Sequence, residues 1–480
     1  MNTPSLHVPD TTYERLTFNL APADDRSPRE DEYSFATAPV AGQRHWGYSG
    51  LIAFTAVLLL RPQDHVPALE PLHLAELFAL VGIGPMILHR LAHRLPGFRI
   101  NAETIGLIVF GAVMLATVPF SIWPGGSIDE ITNSYLKIVV VFVLMMNVLT
   151  TTVRLERLMW LIVVCTGFIA ALSVWNYING YNLVEGGRLA GPVGGIFGNP
   201  NDLAMNMTSF LPSAIVVALS GRQPAGRRLV AALAAALMLA TVVFTKSRGG
   251  ALGVLAALIA IAIFGRWMRR GVGTITIVAV LVATPFLPDA FWARMVSIVD
   301  EDADKQFTGS REARRTVMLE GIDAFLEHPL TGVGVGQFKN YNPPERKERW
   351  LETHNVLIQV ASETGIFGLA AFSFLVLAAA AAAIATRRRV RLALAFRRGS
   401  DQDAVHDDAR ALGELTLGLS AGLIGWFVCA LFASVAYNWT FYYLLALIVA
   451  ARELARDRLP LPAKKRISVL RSALFPERAA

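Results

Sequence analysis

The chain consists mainly of long apolar segments separated by short polar loops. A helix needs about 20 residues to cross the roughly 30 Å hydrocarbon core of a bilayer, and a soluble core helix rarely needs such continuous apolarity. The pattern predicts an all-α, polytopic membrane protein of about twelve transmembrane helices. The predicted spans lie near 46–60, 71–88, 102–122, 132–149, 158–178, 203–220, 229–245, 249–265, 272–288, 355–385, 412–433 and 437–451.

The segments outside these spans suggest a simple domain organisation. A polar, proline-containing start predicts a disordered tail, and a basic stretch follows the last span. One loop is much larger than the others and predicts a folded helical cap. The expected divisions are a tail at 1–45, spans one to nine at 46–288, the cap at 289–354, spans ten to twelve at 355–451, and a basic tail at 452–480.

The distribution of basic residues predicts the orientation of the chain. Short cytoplasmic loops of membrane proteins are rich in Lys and Arg. Here the arginines concentrate in alternate loops, as in the run Arg387, Arg388 and Arg389, and in the final tail. We therefore expect both termini in the cytoplasm and the large cap on the outer face. No basic start leads directly into an apolar stretch, so we do not expect a cleavable signal peptide.

Composition supports a membrane protein and excludes several other classes. Of the 480 residues, 54% are hydrophobic and 17% are charged, against about 25% charged in soluble domains. The net charge of +7 lies in the inner loops, which indicates a membrane surface rather than a nucleic-acid partner. The two cysteines, Cys165 and Cys429, lie in apolar segments and are interpreted as small hydrophobic residues.

The cap contains a predicted helix. Ser310 is a suitable N-cap for a helix that runs to about Glu327. Met318, Ile322 and Phe325 share one face at helical spacing, so this helix is predicted to be amphipathic and suited to the membrane surface.

An acidic run precedes that helix in the cap. Asp300, Asp302 and Asp304 alternate with other residues, a pattern that suits a divalent cation. Lys305 occupies the position of the glycine in a calcium-binding loop, which favours a solvated acidic loop instead.

Two arginines in outer loops are candidate anion ligands. Arg248 lies in a very short hairpin between two apolar spans, where a charge is costly and usually functional or paired. Arg188 lies in a glycine-rich loop, where backbone N–H groups can approach an anion. A guanidinium offers a planar set of donors that matches phosphate oxygens. The alternatives are snorkelling of Arg248 to lipid phosphates and simple exposure of Arg188.

Other polar residues at the outer boundary have plausible chemical roles. His354 is a candidate general base, because imidazole has an ordinary pKa near 6.5, and a helix-cap or interface role is the alternative. Asn199 and Asn201 are suited to capping the sixth span or to orienting a sugar. Glu363 lies so deep in span ten that its carboxylate needs a partner or must be neutral. Lys137 is a candidate partner for lipid phosphate.

Some catalytic classes lack support in the sequence. The chain contains no H-E-x-x-H, G-x-S-x-G or Walker-type motif. Serine hydrolysis and ATP hydrolysis are therefore not expected, and no cofactor or metal is predicted.

Several motifs in a fixed order resemble the O-antigen ligase and polymerase superfamily of bacterial membrane glycosyltransferases. The similarity extends over roughly 130–450. The step Arg61-Pro62-Gln63-Asp64 also resembles the O-glycosylation ligases found beside exosortase-type sorting systems. The matching motifs are Arg188 through Asp202, Ser247-Arg248-Gly249, the Gly-Ser-Arg sequence ending at Arg311, Gly332 through Phe338, and His354-Asn355 followed by Glu363-Thr364-Gly365.

The resemblance implies a fold of the lipid-linked-sugar transferase type and an activity. Family members transfer a glycan from undecaprenyl diphosphate to an acceptor hydroxyl on the periplasmic face, without a nucleotide sugar or a metal. By this resemblance Arg188 and Arg248 would hold the diphosphate, Arg311 would be a third contact, and His354 would activate or position the acceptor. Further substrate contacts are expected at Lys246, Asn199, Asn201, Asn355 and Lys137.

The expected function is therefore a ligase-type glycosyltransferase in the bacterial inner membrane. Its partners would be the lipid-linked glycan donor, membrane lipids, and a lipid, protein or polysaccharide acceptor. A polymerase that joins lipid-linked repeat units shares the same site chemistry and stays open as an alternative. A transporter is a further alternative, but no internal repeat is evident and the key charges lie at the membrane edge rather than its midplane.

Overall fold

The computed structural model describes residues 46–92, 98–265, 289–296, 308–341, 351–395 and 402–459. The predicted tail at 1–45, the predicted ninth span near 272–288 and the run Asp300, Asp302 and Asp304 lie outside the described residues. So does most of the predicted basic tail.

The described part of the chain is almost entirely helical. Short helical turns at Pro62–His65 and Pro67–Leu72 join the first two long helices, and an antiparallel hairpin of β1 (Leu183–Val184) and β2 (Arg188–Leu189) lies between the fifth and sixth. The helices are α1 (Trp46–Leu60), α2 (Leu74–Ala92), α3 (Ala102–Thr117), α4 (Pro124–Val148), α5 (Thr152–Ile178), α6 (Pro200–Leu219), α7 (Ala225–Thr245), α8 (Arg248–Phe264), α9 (Asp289–Val296), α10 (Thr308–Glu327), α11 (Val356–Ala395), α12 (Gln402–Ala430) and α13 (Trp439–Arg458).

This architecture confirms the predicted fold class. Each predicted span within the described residues coincides with a helix. Eight helical segments of the described chain are long and apolar enough to cross a membrane, and the apolar helices α1 and α8 are shorter. The total of twelve spans stays a prediction.

Helix α13 lies at the centre of the bundle. Its side chains are buried almost continuously from Thr440 to Ala455, and it packs against α4, α11 and α12. Near its start the Phe441 ring stacks on Trp426 of α12, with ring centroids 4.7 Å apart. A helix buried on every face cannot be amphipathic, so α13 reads as apolar throughout although it contacts protein rather than lipid.

The hydrogen bonds between helix ends define two ends of the bundle. At the first end, the Tyr48 hydroxyl donates to the Arg154 carbonyl (3.0 Å) and Arg222 pairs with Glu156 (2.9 Å). The second end contains the loops after α1, α5, α7 and α12 and the start of α11. The second end carries the motifs of the predicted site.

A buried ion pair connects α3 and α13 at the first end. Arg452 donates from Nη1 and Nη2 to the two carboxylate oxygens of Glu103, at 2.5 and 2.8 Å. The side chains are 11% and 3% exposed, respectively, and Arg452 also contacts Glu453 at 2.7 Å. Glu103 lies in the first turn of α3, where the helix dipole favours a negative charge.

The cap helix α10 packs on the bundle through a face of small residues. It begins at Thr308, two residues before the predicted cap Ser310, and ends at Glu327 as predicted. The residues that face the protein are Val317 and Ala324, with Gly321 between them. Gly321 matters because an added Cβ would lie 2.7 Å from Ile358 of α11. A row of small residues therefore lets α10 approach α11 closely.

Two residues of the predicted apolar face of α10 point outward. Met318 and Ile322 are 36% and 38% exposed, and Leu326 is 66% exposed. The expectation that Met318, Ile322 and Phe325 form one apolar face holds as a pattern, but it is not the face that packs on the bundle. Its placement on a membrane surface stays a prediction.

A glycine-rich segment of the cap docks onto a break in α11. Gly365 has φ +65° inside α11, and Gly332, Gly334 and Gly336 have φ of +65°, +110° and +67°. A Cβ on Gly332 would lie 2.3 Å from the Glu363 carbonyl carbon, so only glycine fits there.

Backbone hydrogen bonds hold this segment in place. The Val333 amide donates to the Ser362 carbonyl (2.8 Å), and the Gly334 amide donates to the Glu363 carbonyl (3.1 Å). The break in α11 thus exposes carbonyl groups that the glycine-rich segment satisfies.

Removing the buried ion pair should destabilise the protein. Replacing Glu103 by Ala leaves the Arg452 charge buried with Glu453 as its remaining partner. Breaking a buried pair from one side costs about 3–5 kcal/mol, and we expect a loss near the lower value, measured by reversible unfolding of the purified protein in detergent. Asp457→Asn is the control, because its pair with Arg99 is exposed and should contribute under about 1 kcal/mol. Equal losses in the two variants would contradict the role of burial.

Candidate active site

Arg188 joins the loop after α5 to the start of α6 and the end of α7. Its Nε donates to the Thr245 carbonyl (3.1 Å), and one of its terminal nitrogens donates to Asn201 Oδ1 (2.8 Å). The side chain is half-buried on β2. These contacts fix the guanidinium at the second end of the bundle.

The hairpin between α7 and α8 meets the same asparagine. The Ser247 hydroxyl donates to Asn201 Oδ1 (3.1 Å) and also accepts from the Gly250 amide (3.3 Å) as the N-cap of α8. Arg248, the next residue, is half-buried in the first turn of α8. Arg188 and the Arg248 hairpin are therefore brought together through Asn201.

Lys246 connects this hairpin to the loop that carries Arg188. Its backbone has φ +50° at the end of α7, and its Nζ donates to the Gly186 carbonyl (3.0 Å). The ammonium group therefore lies beside the loop that carries Arg188, as the predicted grouping requires.

His354 lies immediately before α11 in a left-handed backbone conformation, with φ +50°. Its amide donates to the Ser434 hydroxyl (3.0 Å) in the loop after α12. The next residue, Asn355, caps α11 by accepting from the Leu357 amide (2.9 Å) and donates to the Leu431 carbonyl (3.2 Å). The loop after α12 thus fixes the position of His354.

The same loop connects His354 to the Arg248 hairpin. A Cβ on Gly249 would lie 3.3 Å from the Phe432 Cβ, and Cys429 donates to the Gly249 carbonyl (3.3 Å). The Glu352 carboxylate also interacts electrostatically with Asp202, beside Asn201. Arg188, Arg248 and His354 accordingly lie at one end of the bundle and are linked by short chains of contacts.

Three of the helices that begin at this end, α6, α8 and α11, each begin at one of the sequence motifs. The N-caps are Asn199 for α6, Ser247 for α8 and Asn355 for α11. The capping role expected for Asn199 is confirmed, since its Oδ1 accepts from the Asn201 and Asp202 amides at 2.9 Å. Helix N-termini carry partial positive charge and favour anions nearby.

Arg314 of α10 is the cationic group beside His354 that the sequence did not single out. Burial, together with the Arg314 charge, lowers the pKa of His354 to about 4. The motif in the sequence favoured Arg311, three residues earlier on the same helix. The side chain of Arg311 lies outside the described part of the chain, and Arg315 is exposed. Residues three positions apart are neighbours on a helix surface, so the motif at Arg311 could also have indicated Arg314.

Lys137 is engaged by another element. Its Nζ forms a 2.7 Å ion pair with Glu76 of α2, which already balances the ammonium charge. A lipid phosphate would have to compete with that carboxylate, so we do not include Lys137 in the proposed site.

A cavity of about 350 Å³ opens next to His354. Glu352 and Thr353 line it, and so do Glu130 and Lys339. Burial raises the pKa of Glu352, although the nearby Lys339 acts in the opposite direction.

Glu363 also lines the cavity, and its buried carboxylate has hydrogen-bond partners. Its carboxylate accepts from the Gly336 amide (3.1 Å) and the Phe338 amide (3.3 Å), and it faces the Tyr437 hydroxyl. The donors come from the glycine-rich segment, which explains why that motif and the Glu363 motif occur together.

Arg61, of the Arg61-Pro62-Gln63-Asp64 motif, also lines the cavity. Arg61 Nε donates to Asp64 Oδ2 (2.7 Å), which also accepts from the Gly194 amide (2.7 Å). A Cβ on Gly195 would lie 2.6 Å from an Arg61 terminal nitrogen. The motif therefore holds the loop between β2 and α6 in place, a role that its sequence alone did not indicate.

In the described ranges, no group of three or more His, Cys, Asp or Glu side chains is placed to hold a metal ion. In addition to the carboxylates that line the cavity, this end carries guanidinium groups, helix N-termini and the imidazole of His354.

Comparison with known proteins agrees with the family predicted from the motifs. Residues 233–373 match a family model described as O-antigen ligase. No curated protein matches the chain. The matched segment contains the Arg248 hairpin, the cap helix α10, the glycine-rich segment and His354, and this match supports the O-antigen ligase superfamily.

Proposed function

We propose that the protein transfers a glycan from undecaprenyl diphosphate to an acceptor hydroxyl on the periplasmic face of the inner membrane. The observation that carries this proposal is the meeting of the Arg188 loop, the Arg248 hairpin and the His354 loop at one end of the bundle. The match to the O-antigen ligase family model suggests the reaction class.

The arginines suit the departing diphosphate. As the bond between the anomeric carbon and the diphosphate oxygen breaks, negative charge grows on the diphosphate. Arg188 and Arg248 would stabilise that charge, and the starts of α6 and α8 add partial positive charge on the same side. Arg188 is already oriented by Asn201 and Thr245, which lowers the entropy cost of binding.

His354 suits the role of the base. In transfer, the acceptor oxygen forms a bond to the anomeric carbon, its proton passes to the imidazole, and the bonding electron pair leaves with the diphosphate. A pKa of about 4 keeps His354 neutral at neutral pH. A bound diphosphate would offset the Arg314 charge and raise that pKa toward the range of an efficient base.

A ligase and a polymerase differ in the identity of the acceptor. The chemistry at the diphosphate and at His354 is the same for both. We propose the ligase as the leading function, and product analysis tests it: purified protein with a labelled lipid-linked glycan yields single transfer in a ligase and a ladder of lengths in a polymerase.

His354 and Arg248 should both be required for transfer. His354→Ala should reduce transfer by at least 10²-fold, because base catalysis contributes roughly 10²–10⁴-fold. Arg248→Lys should also reduce transfer strongly, because an ammonium cannot make the paired contacts of a guanidinium. The measurement is the initial rate of product formation from lipid-linked glycan in proteoliposomes.

The matched control is Arg388→Lys, an exposed arginine of α11 near its opposite end. It should transfer at the normal rate. A near-normal rate in Arg248→Lys would support lipid snorkelling instead, and a near-normal rate in His354→Ala would remove the base from the mechanism.

The second prediction concerns pH. Since the free-enzyme pKa of His354 is about 4, kcat/KM for transfer should stay level from pH 8 to about 5 and fall as the imidazole becomes protonated below that. Arg314→Gln removes a cation next to His354, which favours its protonation, so the midpoint of the fall should move to higher pH.

Arg315→Gln is the control for this shift, since Arg315 is the exposed neighbour on the same helix. Its midpoint should match that of the unaltered protein. Equal midpoints in Arg314→Gln and the unaltered protein would contradict the assignment of Arg314, provided that size-exclusion profiles show both proteins folded at each pH.

A further inference from the structure

We infer that the cavity beside His354 binds one sugar unit of the glycan, and that it selects neutral or amino-bearing sugars over acidic ones. This inference rests on the proposed function, because it names the substrate class that the same site would accept.

The size and position of the cavity suit a single sugar unit next to the reacting atoms. Its volume of about 350 Å³ is at the lower end of the roughly 300–1,000 Å³ range of small-ligand pockets. Glu352 and Thr353, which line it, directly precede His354 in the chain. Ser434 also lines the cavity and accepts the His354 amide hydrogen bond. A sugar in the cavity would therefore lie against the residues that precede His354 and the residue that holds its backbone.

The wall of the cavity combines hydrogen-bonding groups with aromatic rings. Glu130 and Glu352 can accept hydrogen bonds from sugar hydroxyls, and Lys339 can donate. Trp439 is half-buried in the wall and offers the kind of flat surface on which the apolar face of a sugar ring packs. A few directed polar groups around an aromatic surface are typical of small-ligand pockets.

The charge of the wall determines the predicted selectivity. Three carboxylates line the cavity, those of Glu130, Glu352 and Glu363. The cations are Lys339 and Arg61, and the Arg61 charge is balanced by its ion pair with Asp64. Among the lining residues that the structure describes, three carboxylates therefore face two cations, one of which is paired with Asp64. A uronic acid would meet repulsion there, whereas a hydroxyl or an ammonium would find acceptors.

Glu130 is held so that its carboxylate stays in the wall. A Cβ added to Gly336 would lie 3.2 Å from the Glu130 Cγ. The glycine-rich segment therefore packs directly on the stem of this side chain. The same segment donates to Glu363 from Gly336 and Phe338, so it orients two of the three carboxylates.

Binding of simple glycosides tests the inference without any transfer reaction. The probes are methyl glucoside, methyl glucosaminide and methyl glucuronide, titrated by saturation-transfer NMR against the full-length protein in a detergent without a sugar headgroup. We expect the glucoside and glucosaminide to bind at least threefold more tightly than the glucuronide. Glu130→Gln and Glu352→Gln should each reduce that ratio, because each removes one negative charge from the wall.

Asp129→Asn is the matched control. Asp129 is the exposed neighbour of Glu130 on α4, and its substitution removes the same charge without altering the wall, so the ratio should not change. The inference is overturned if the three glycosides bind equally, if none binds, or if Asp129→Asn changes the ratio as much as Glu130→Gln does.

Transfer assays separate this inference from the proposed function and identify the source of the sugar. If glycosides bind selectively but no glycan is transferred, the reaction class is wrong while the sugar site stands. If transfer occurs but glycosides do not bind, the sugar site is wrong. Competition of the glucoside with the lipid-linked donor would assign the cavity to the donor glycan, and competition with the acceptor would assign it to the acceptor.

Discussion

The arrangement of the second end of the bundle depends on the docking of a glycine-rich segment onto a broken helix. At the break in α11 the helical hydrogen-bond pattern is interrupted, and the carbonyls of Ser362 and Glu363 accept from Val333 and Gly334. Unsatisfied backbone groups within a bilayer cost several kcal/mol each, so irregular backbone is tolerated only where protein covers it. The cap is consequently an integral part of the membrane domain.

The docking of the glycine-rich segment also determines where the charged groups lie. The segment that covers the break supplies amide donors to the Glu363 carboxylate, and the helix that precedes it brings Arg314 to His354. The first part of α11 begins at Val356, two residues after His354, and ends at the break at Gly365. A single packing arrangement therefore sets the position of the imidazole, of its cationic neighbour and of the cavity wall.

The sequence predicted the spans well because a membrane imposes length and apolarity on each helix separately. It also predicted that Arg188, Arg248 and His354 belong to one end, because alternation of the spans fixes which loops share a side. It did not predict which face of α10 packs inward, since small residues such as Gly321 carry no hydrophobic signal. Nor did it separate Arg314 from Arg311, a choice that depends on the helix rotation. The role of Asp64 depends on a contact with Gly194 that no local pattern reveals.

The loop between α12 and α13 is short, and it touches two parts of the site at once. Phe432 packs on the Arg248 hairpin and Ser434 holds the His354 backbone, only two positions apart in the chain. The spacing between the Arg248 hairpin and the His354 backbone is thus determined by a few covalent bonds. Under the proposed function, natural length variation in this loop would be expected to alter which acceptors reach the reacting carbon, while leaving recognition of the lipid-linked donor intact.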